Sequence, residues 1–158
     1  PHFYNQIMSN KDITVTDPKM TRFMMTLEDA VKLVLFAFMN GKSGDIFVQK
    51  SPATTIGELA KAMKKMYNSK VKIKTIGIRH AEKIHETLLS REEFYVAEEL
   101  ENYFRIPADN RDLNYNKFFS EGSFSEKVNS DYSSSNTVRL DEKELILLLN
   151  KIELKNST

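Results

Sequence analysis

The sequence predicts an α/β fold with a loop-rich C-terminal tail that ends in a helix. Short β-branched segments such as DITVT, DIFVQ and KVKIKTIGI alternate with amphipathic helical patterns, which is typical of α/β proteins. The 158 residues and the hydrophobic content of 41% are sufficient for one domain with its own core. Residues 107–137 are rich in Asn, Asp, Ser and Tyr and have little periodicity, so this stretch predicts loops.

Two helices are predicted by the same signals, a threonine cap followed by an apolar stripe. In TLEDAVKLVLFAFMNG, Thr26 is the N-cap, Asp29 stands three residues later, and Asn40-Gly41 provides the C-cap. In TTIGELAKAM, Thr55 is the N-cap and Glu58 stands at the third position. The apolar stripes consist of Leu27, Ala30, Val31, Val34, Leu35 and Phe38 in the first helix and of Ile56, Leu59, Ala60 and Met63 in the second.

Shorter elements complete the predicted order. The opening PHFYNQIM has an amphipathic helical pattern, and residues 12–16 and 45–49 are predicted strands. The strand KVKIKTIGI shifts its apolar phase after Thr75, which indicates a bulge or a change of burial. EEFYVAEELENYF predicts a helix that leads into a strand, YFRIP. A final helix is predicted to begin near Asp141, with Glu144 as its capping partner and an apolar side formed by Leu145, Leu148, Leu149 and Ile152.

Composition argues against several classes of partner. Twenty-three basic residues oppose 22 acidic ones, so no overall positive field is available to hold nucleic acid. Cysteine is absent, which removes disulfides and thiolate ligands and fits a reducing, cytoplasmic compartment. The longest apolar run, VKLVLFAFM, is too short to span a bilayer, and no signal peptide is visible, so no membrane association is expected. His80 and His85 lack zinc-site spacing, so no metal is expected.

The usual motifs of cofactor and catalytic chemistry are also missing from the sequence. The five glycines form neither a G-x-G-x-x-G nor a G-x-x-x-x-G-K motif, and no G-x-S-x-G elbow is present. None of the six tyrosines has a lysine four residues later. The sequence therefore predicts no catalytic residue in this chain.

The densest polar stretch, GIRHAEKIHE, follows directly on an isoleucine-rich strand pattern. It contains Arg79 and Glu82, and a second arginine, Arg22, lies in MTRF. The planar guanidinium suits phosphate oxygens, two arginines can hold a diphosphate, and Glu82 could accept from ribose hydroxyls. From the residues alone the alternative, that both arginines are surface or structural residues, stays open and is favoured.

The segments TDPKMTRFMMTLEDAVKLVLFAF, GDIFVQKSPATTIGELAKAM and IGIRHAEKIHETLLS resemble the C-terminal half of one enzyme family. It is the polysaccharide-biosynthesis branch of the extended short-chain dehydrogenases/reductases. This branch includes UDP-N-acetylglucosamine 4,6-dehydratases and relatives labelled UDP-glucose 4-epimerases. The tail YFRIPADNRDLNYNKFFSEG resembles the extra C-terminal segment of its capsular and O-antigen members.

The resemblance implies a substrate-binding fold and a set of site residues. Residues 1–106 are expected to form the nucleotide-sugar-binding part, and residues 107–158 the C-terminal extension of the family. The UDP-binding residues implied by the family's motifs are Thr14, Thr16, Arg22, Arg79 and Glu82, with the two arginines on the diphosphate and Glu82 near the ribose. At position 81 the family has glycine and this chain has alanine, which argues against a left-handed turn there.

The function implied is that of a fragment: the substrate-binding half of a UDP-N-acetylglucosamine 4,6-dehydratase, with or without the additional 5-epimerase activity of some members, for capsule or lipopolysaccharide O-antigen synthesis. A UDP-glucose 4-epimerase of the same branch is the first alternative, and a non-catalytic interaction module is the second. NADP or NAD would be held by the family's N-terminal Rossmann half, a partner if separately encoded, and this chain alone is expected to bind neither and to be inactive.

The tail is expected to pack against protein because large aromatic side chains are costly to leave in water. The residues concerned are Tyr115, Phe118 and Phe119. Two arrangements are open: a latch that joins a homo-oligomer, or a strap over the chain's own domain.

Overall fold

A computed structural model describes residues 1–108 and 130–156 and confirms the α/β class. The described helices are α1 (His2–Met8), α2 (Leu27–Asn40), α3 (Ile56–Met66), α4 (Arg91–Val96) and α5 (Glu142–Asn156). The described strands are β1 (Ile13–Val15), β2 (Thr21–Phe23), β3 (Ile46–Gln49), β4 (Ala53–Thr55), β5 (Ile73–Thr75), β6 (Thr87–Leu89), β7 (Glu98–Glu99), β8 (Tyr103–Ile106) and β9 (Tyr132–Ser133). Among these described helices none is both long and apolar enough to cross a membrane.

The described residues divide into two compact units. The first, called the N-terminal unit below, contains residues 1–26, 51–86 and those from 134 onward. The second, called the central unit, contains residues 27–50 together with 87–108 and 130–133. Each unit is therefore built from segments that are distant in the sequence.

The N-terminal unit has a core between a parallel strand pair and two helices. β1 pairs with β5 in parallel, and α1 and α3 pack against this pair. The buried cluster consists of Ile7, Ile13, Val15, Ala60 and Val71. Since α1 supplies Ile7 and α3 supplies Ala60, the amphipathic patterns of both segments are confirmed.

The start of α3 is fixed by its cap and by the turn that follows β1. The Thr55 Oγ1 accepts a hydrogen bond of 3.1 Å from the Glu58 N–H, as the sequence predicts. The Gly57 N–H donates to the Pro18 carbonyl oxygen at 3.0 Å. A Cβ on Gly57 would lie 2.9 Å from that oxygen, so only glycine allows the helix to approach the turn so closely.

The C-terminal segment packs within the N-terminal unit through its backbone and through α5. The Leu140 N–H donates to the Ala53 carbonyl oxygen at 2.9 Å, and the Ala53 N–H donates to that of Val138 at 2.8 Å. Asp141 and Glu144 cap α5 reciprocally, as predicted: each backbone N–H donates to the other's carboxylate at 2.8 Å. Leu145 is fully buried and α5 packs against α3. The part of the tail in this unit therefore runs as a strap. Tyr115, Phe118 and Phe119 lie outside the described residues.

The central unit contains an antiparallel sheet with the strand order β3-β8-β7 and a separate antiparallel pair, β6–β9. On one face, the Phe36 ring of α2 meets the Phe47 ring edge to face and lies tilted against the Tyr103 ring, with centroids 5.6 and 4.5 Å away. Elsewhere in the unit, Phe94, Phe104 and Tyr132 form a mutual aromatic cluster with centroid distances of 5.1–5.9 Å. Tyr132, which belongs to the polar tail in sequence, is buried there.

Three elements differ from the sequence prediction. The strand in KVKIKTIGI ends at Thr75 instead of continuing to Ile78, because Gly77 has a positive φ of 88° and Ile76 turns into solvent. The helix in EEFYVAEELENYF ends at Val96, where Ala97 adopts an extended backbone. The helix α2 forms as predicted, yet none of its residues is buried.

Candidate functional site

Two parallel strands end at the same edge of the N-terminal unit. β1 and β5 are in register from Ile13 opposite Ile73 to Val15 opposite Thr75. The Ile76 N–H then donates to the Val15 carbonyl oxygen at 2.8 Å, which extends the pairing by one step. The polar stretch of residues 77–86 and the turn after β1 therefore both leave from the carboxyl ends of these strands, the edge where α/β proteins commonly bind ligands.

The polar stretch folds back on itself around Glu82. One carboxylate oxygen of Glu82 accepts the Arg79 backbone N–H at 3.2 Å, and the other accepts the Thr16 hydroxyl at 3.2 Å. The preceding Ala81 has a φ of 63°, so the left-handed turn is present although the sequence argued against it. The two bonds to Glu82 and the Glu82 N–H to Arg79 carbonyl bond hold alanine in this costly conformation. Thr16, Glu82 and the backbone of Arg79 are thus brought together.

Arg22 lies on β2, and its side chain hydrogen-bonds to the backbone of the second half of the polar stretch. Its guanidinium donates to the Lys83 carbonyl oxygen at 2.9 Å and to the Ile84 carbonyl oxygen at 3.3 Å. It also donates to the Thr21 carbonyl oxygen at 2.7 Å and pairs with the Glu86 carboxylate at 3.4 Å. Most of the donors of this guanidinium are therefore engaged inside the protein.

A buried hydroxyl pair anchors the same segment from the other side. The Thr21 and Ser134 hydroxyl oxygens are 2.6 Å apart, and the Thr21 hydroxyl also lies 2.8 Å from Nδ1 of His85. The Ser134 hydroxyl accepts the Glu86 N–H at 2.9 Å, while the Ser134 N–H donates to the Glu86 carbonyl oxygen at 2.7 Å. Because Thr21 and Ser134 are almost fully buried, this network fixes residues 84–86 firmly.

Arg79 differs from Arg22 in that its side chain is exposed. In the part of the chain that the structure describes, its guanidinium makes no hydrogen bond and no ion pair, while its backbone is held by Glu82. The turn therefore presents a free cation on an anchored backbone. That is the arrangement needed to bind an anion from solution.

Thr14 lies apart from this cluster. Its hydroxyl accepts from the Gln6 side-chain amide at 2.8 Å, and its backbone N–H donates to the same amide's oxygen at 3.2 Å. The imidazole of His2 is 3.4 Å from that hydroxyl. Thr14 is thus tied to α1, and the structure does not bring it into contact with Thr16 or Glu82.

Four residues of this network were not predicted as members of the site: Thr21, His85, Glu86 and Ser134. His85 was considered only as a metal ligand. His85 and Glu86 lie inside GIRHAEKIHE, and the unusual polar density of that stretch was the available signal. Ser134 lies in SDYSSSN, whose composition is that of a linker, and nothing in the sequence distinguishes it from its neighbours. Its role depends on a contact across 113 residues.

Across the described ranges 1–108 and 130–156, no group of three or more His, Cys, Asp or Glu side chains is placed to hold a metal ion. The charges of the site are mixed, with Arg22, Arg79 and Lys83 beside Glu82 and Glu86. These features define an α/β protein with a polar, arginine-containing loop at the carboxyl ends of its parallel strands.

Comparisons with known proteins identify the family. Residues 1–108 match the family described as polysaccharide biosynthesis protein, and residues 109–154 match the family described as polysaccharide biosynthesis protein C-terminal. This chain therefore belongs to the polysaccharide biosynthesis protein family. It corresponds to the C-terminal half of that branch of the short-chain dehydrogenases/reductases, as the sequence resemblance implied.

Three relatives illustrate the match. The chain is 56% identical to a protein of Rickettsia bellii named UDP-glucose 4-epimerase, over 99% of this chain and 48% of that protein. A Rickettsia canadensis protein of the same name is 54% identical, with the same coverage. The solved structure of Pen from Bacillus thuringiensis is 33% identical and superposes with a TM-score of 0.75, covering 94% of this chain and 43% of that one. The chain thus spans about half the length of the relatives that it matches.

Proposed function

We propose that this chain is the UDP-sugar-binding half of a nucleotide-sugar-modifying enzyme of polysaccharide biosynthesis. The observation that carries the proposal is the loop of residues 77–86. It leaves the carboxyl end of β5, its backbone is anchored by Glu82 and Arg22, and it presents the unpaired guanidinium of Arg79. Such a cation would bind the diphosphate of a UDP-sugar.

The five proposed UDP-binding residues have different parts in this proposal. Arg79 is the direct diphosphate ligand, because its fork has no other partner among the described residues. Arg22 would reach the diphosphate only by giving up one of its bonds to the Lys83 or Ile84 carbonyl, so its first role is to shape the loop. Thr16 and Glu82 would form the polar edge for the ribose. Thr14 would offer its backbone N–H to the base only by giving up its bond to Gln6.

The nicotinamide cofactor that the family implies does not fit the residues of this chain. Dinucleotide binding needs glycines that let the backbone approach the pyrophosphate, and the five glycines here are not spaced to do so. We therefore place NADP or NAD on the half of the family that this chain does not match, and we assign no chemical step to this chain.

The substrate of the complete enzyme has two candidates. The sequence resemblance favours UDP-N-acetylglucosamine and a 4,6-dehydratase that serves capsule or lipopolysaccharide synthesis. The name of the Rickettsia relatives favours the alternative, a UDP-glucose 4-epimerase. In both cases this chain would hold the nucleotide while the sugar is positioned, so the binding experiment is common to them.

The test is the affinity of the purified chain for UDP, measured by titration calorimetry. Loss of one charge-assisted partner of a diphosphate costs roughly 1.5–3 kcal/mol, so Arg79→Ala should weaken UDP binding by about ten- to a hundredfold. Arg79→Lys should restore only part of the affinity, because lysine cannot present a planar fork. The exposed Arg139, whose guanidinium donates to the Ser135 carbonyl, serves as the matched control as Arg139→Ala.

The two arginines should separate in a second measurement. Arg79→Ala should leave the thermal unfolding midpoint unchanged, whereas Arg22→Ala should lower both the midpoint and the affinity because it releases the loop. Equal UDP affinity of the wild type and Arg79→Ala would refute the proposed site.

The reaction class is tested by co-expression with a polypeptide that carries the N-terminal half of the family. Conversion of UDP-N-acetylglucosamine to a 4-keto-6-deoxy product would establish the dehydratase, and interconversion of UDP-glucose and UDP-galactose would establish the epimerase. The chain alone, with NADP or NAD added, should turn over neither sugar. Turnover by the chain alone would contradict its assignment as the binding half.

A further inference from the structure

A buried serine joins the C-terminal extension of the chain to the candidate site. Ser134 lies within residues 109–154, which match the family described as polysaccharide biosynthesis protein C-terminal, and it is completely buried. It bonds to two segments that are distant in the sequence, Thr21 of β2 and Glu86 of the polar stretch. A residue of the extension therefore belongs to the structure that shapes the proposed UDP site.

The hydrogen bonds of Ser134 hold the second half of the polar stretch. Its hydroxyl oxygen accepts the Glu86 N–H at 2.9 Å, and its backbone N–H donates to the Glu86 carbonyl oxygen at 2.7 Å. Both backbone polar groups of Glu86 are thus bonded to one residue of the extension. Since the Glu86 carboxylate pairs with Arg22 at 3.4 Å, a shift of this backbone would also move a partner of the Arg22 guanidinium.

The Ser134 hydroxyl also reaches Arg22 and His85 through Thr21. It lies 2.6 Å from the Thr21 hydroxyl and donates to the Thr21 carbonyl oxygen at 3.1 Å. That carbonyl oxygen also accepts from the Arg22 guanidinium at 2.7 Å, and the Thr21 hydroxyl lies 2.8 Å from Nδ1 of His85. Because a hydroxyl both donates and accepts, removing one of the pair leaves other buried groups short of a partner.

The extension is anchored on the C-terminal side of Ser134 by contacts to other parts of the N-terminal unit. The Thr137 hydroxyl donates to the Ser51 carbonyl oxygen at 3.0 Å. Farther along, Leu145 of α5 is completely buried and α5 packs against α3. These contacts fix the extension independently of the polar stretch, so Ser134 provides a fixed point to which residues 84–86 are bonded.

We infer that Ser134 is a positioning residue for UDP binding, through which the C-terminal extension sets the conformation of residues 84–86 and of Arg22. The inference rests on the proposed function, because it assigns Ser134 a role at that site. The first half of the polar stretch has its own anchor in Glu82, which accepts from the Arg79 N–H and from the Thr16 hydroxyl. Loss of the Ser134 hydroxyl should therefore loosen the second half and leave the fold in place.

The experiment measures UDP affinity by titration calorimetry at a temperature well below the unfolding midpoint. Ser134→Ala should weaken binding about five- to tenfold, since it removes a buried partner of the Glu86 N–H and of Thr21. Ser134→Cys keeps a weak hydrogen-bonding group of similar shape and should recover part of the affinity. The matched control is Thr137→Ala, which removes a hydroxyl from the same extension; it should lower the unfolding midpoint and leave UDP affinity unchanged.

Hydrogen exchange of single amides, followed by NMR, provides a readout that does not depend on UDP. Ser134→Ala should speed exchange of the Glu86 amide about tenfold, because its acceptor is gone. The Ile13 amide, which donates to the Lys72 carbonyl oxygen, should keep its wild-type rate.

Thr21→Val tests the same pair without a change in the extension, and it decides the inference if Ser134→Ala does not fold. It should also weaken UDP binding. Combined with Ser134→Ala, it should cost no more than about the larger of the two single losses, because both substitutions remove the same contact.

Unchanged UDP affinity in Ser134→Ala and Thr21→Val, beside a weakened Arg79→Ala, would overturn this inference and leave the proposed site intact. Equal losses of affinity in Ser134→Ala and Thr137→Ala would also overturn it, since the effect would then be general destabilisation of the extension. Equal affinity of the wild type and Arg79→Ala would instead refute the proposed site, and this inference with it.

Discussion

The helices α2 and α3 have the same sequence signals and opposite surroundings. Each begins after a threonine and carries an acidic residue in its first turn and an apolar stripe at the helical repeat. In α3 the stripe packs in the core around β1, where Ala60 is completely buried and Ile56 and Met63 pack beside it. In α2 no residue is buried, although that helix is the more apolar of the two.

The difference shows that an amphipathic pattern predicts a helix and a face, but not which polypeptide covers the face. Helix α3 is covered by α1, α5 and strands β1 and β4, which this chain supplies. Helix α2 packs only one side, through Phe36. Its second side, which includes Leu27 and Phe38, is exposed among the described residues.

The largest expected effect follows from truncating a leucine in each surrounding. Leu145 of α5 is fully buried, so Leu145→Ala should cost about 2–5 kcal/mol of unfolding free energy through lost burial and a cavity. The matched substitution Leu27→Ala in α2 should change it by less than about 0.5 kcal/mol, because Leu27 is 83% exposed. Urea unfolding of both variants measures this. A comparable loss for Leu27→Ala would show that α2 is already covered in the isolated chain.

The next effect concerns the ion pair between Arg105 and Asp45, which stabilises the central unit. The side-chain hydrogen bond from Arg105, followed by those from the Lys42 and Ala108 backbones, keeps the pKa of the Asp45 carboxyl below its ordinary value. The Arg105 to Asp45 distance is 2.8 Å, and the Asp45 side chain is 3% exposed. A depressed pKa means that this contribution is complete above the unfolded-state value of about 4 and is lost as the pH falls through the lower folded value.

Asp45→Asn should therefore lower the thermal unfolding midpoint at pH 7, and the gap to the wild type should close below about pH 4. Glu98→Gln is the control, because Glu98 contacts the same Arg105 at 2.9 Å but is half exposed. Its effect should be smaller at every pH. A gap for Asp45→Asn that stays constant down to pH 2 would mean that the ion pair does not contribute.

How far the sequence predicted the molecule depended on the distance of the contacts involved. Local signals succeeded: Thr55 caps α3 and Asp141 with Glu144 caps α5, because such bonds join residues three apart. The strand of residues 73–75 was predicted too long, although the shift of apolar phase after Thr75 marked the place where burial changes and the strand ends.

Within the candidate site the same limit applies. The polar stretch around Arg79 and Glu82 stood out in the sequence, and the structure brings Glu82 to Thr16. The engagement of Arg22 by backbone carbonyls was not visible, because carbonyls have no sequence signature. Ser134 was not predicted because its hydrogen bonds join segments more than a hundred residues apart, and a local sequence pattern does not report such contacts.

Removing the N-cap of α3, Thr55, should have a moderate effect on the free energy of unfolding. Replacing Thr55 by alanine removes the acceptor for the Glu58 N–H and should cost about 1 kcal/mol of unfolding free energy. Thr55→Ser keeps the hydroxyl and should recover most of it. Chemical denaturation with matched m-values decides the point, and identical losses for both variants would assign the effect to the methyl group instead.

The smallest effect compares the surface ion pairs of the two helices. Glu28 pairs with Lys32 in α2 at 3.0 Å, and Glu58 pairs with Lys61 in α3 at 2.8 Å, and all four side chains are well exposed. In each pair the glutamate raises the pKa of its lysine, first through the side-chain hydrogen bond. Exposed pairs of this kind are screened by salt and contribute little. Glu28→Gln and Glu58→Gln should therefore produce equally small shifts of the unfolding midpoint, and 1 M salt should erase both. A large shift for one variant would mean that its ion pair contributes to the different stability of α2 and α3. Equal small shifts would leave the difference in burial between the two helices as the cause.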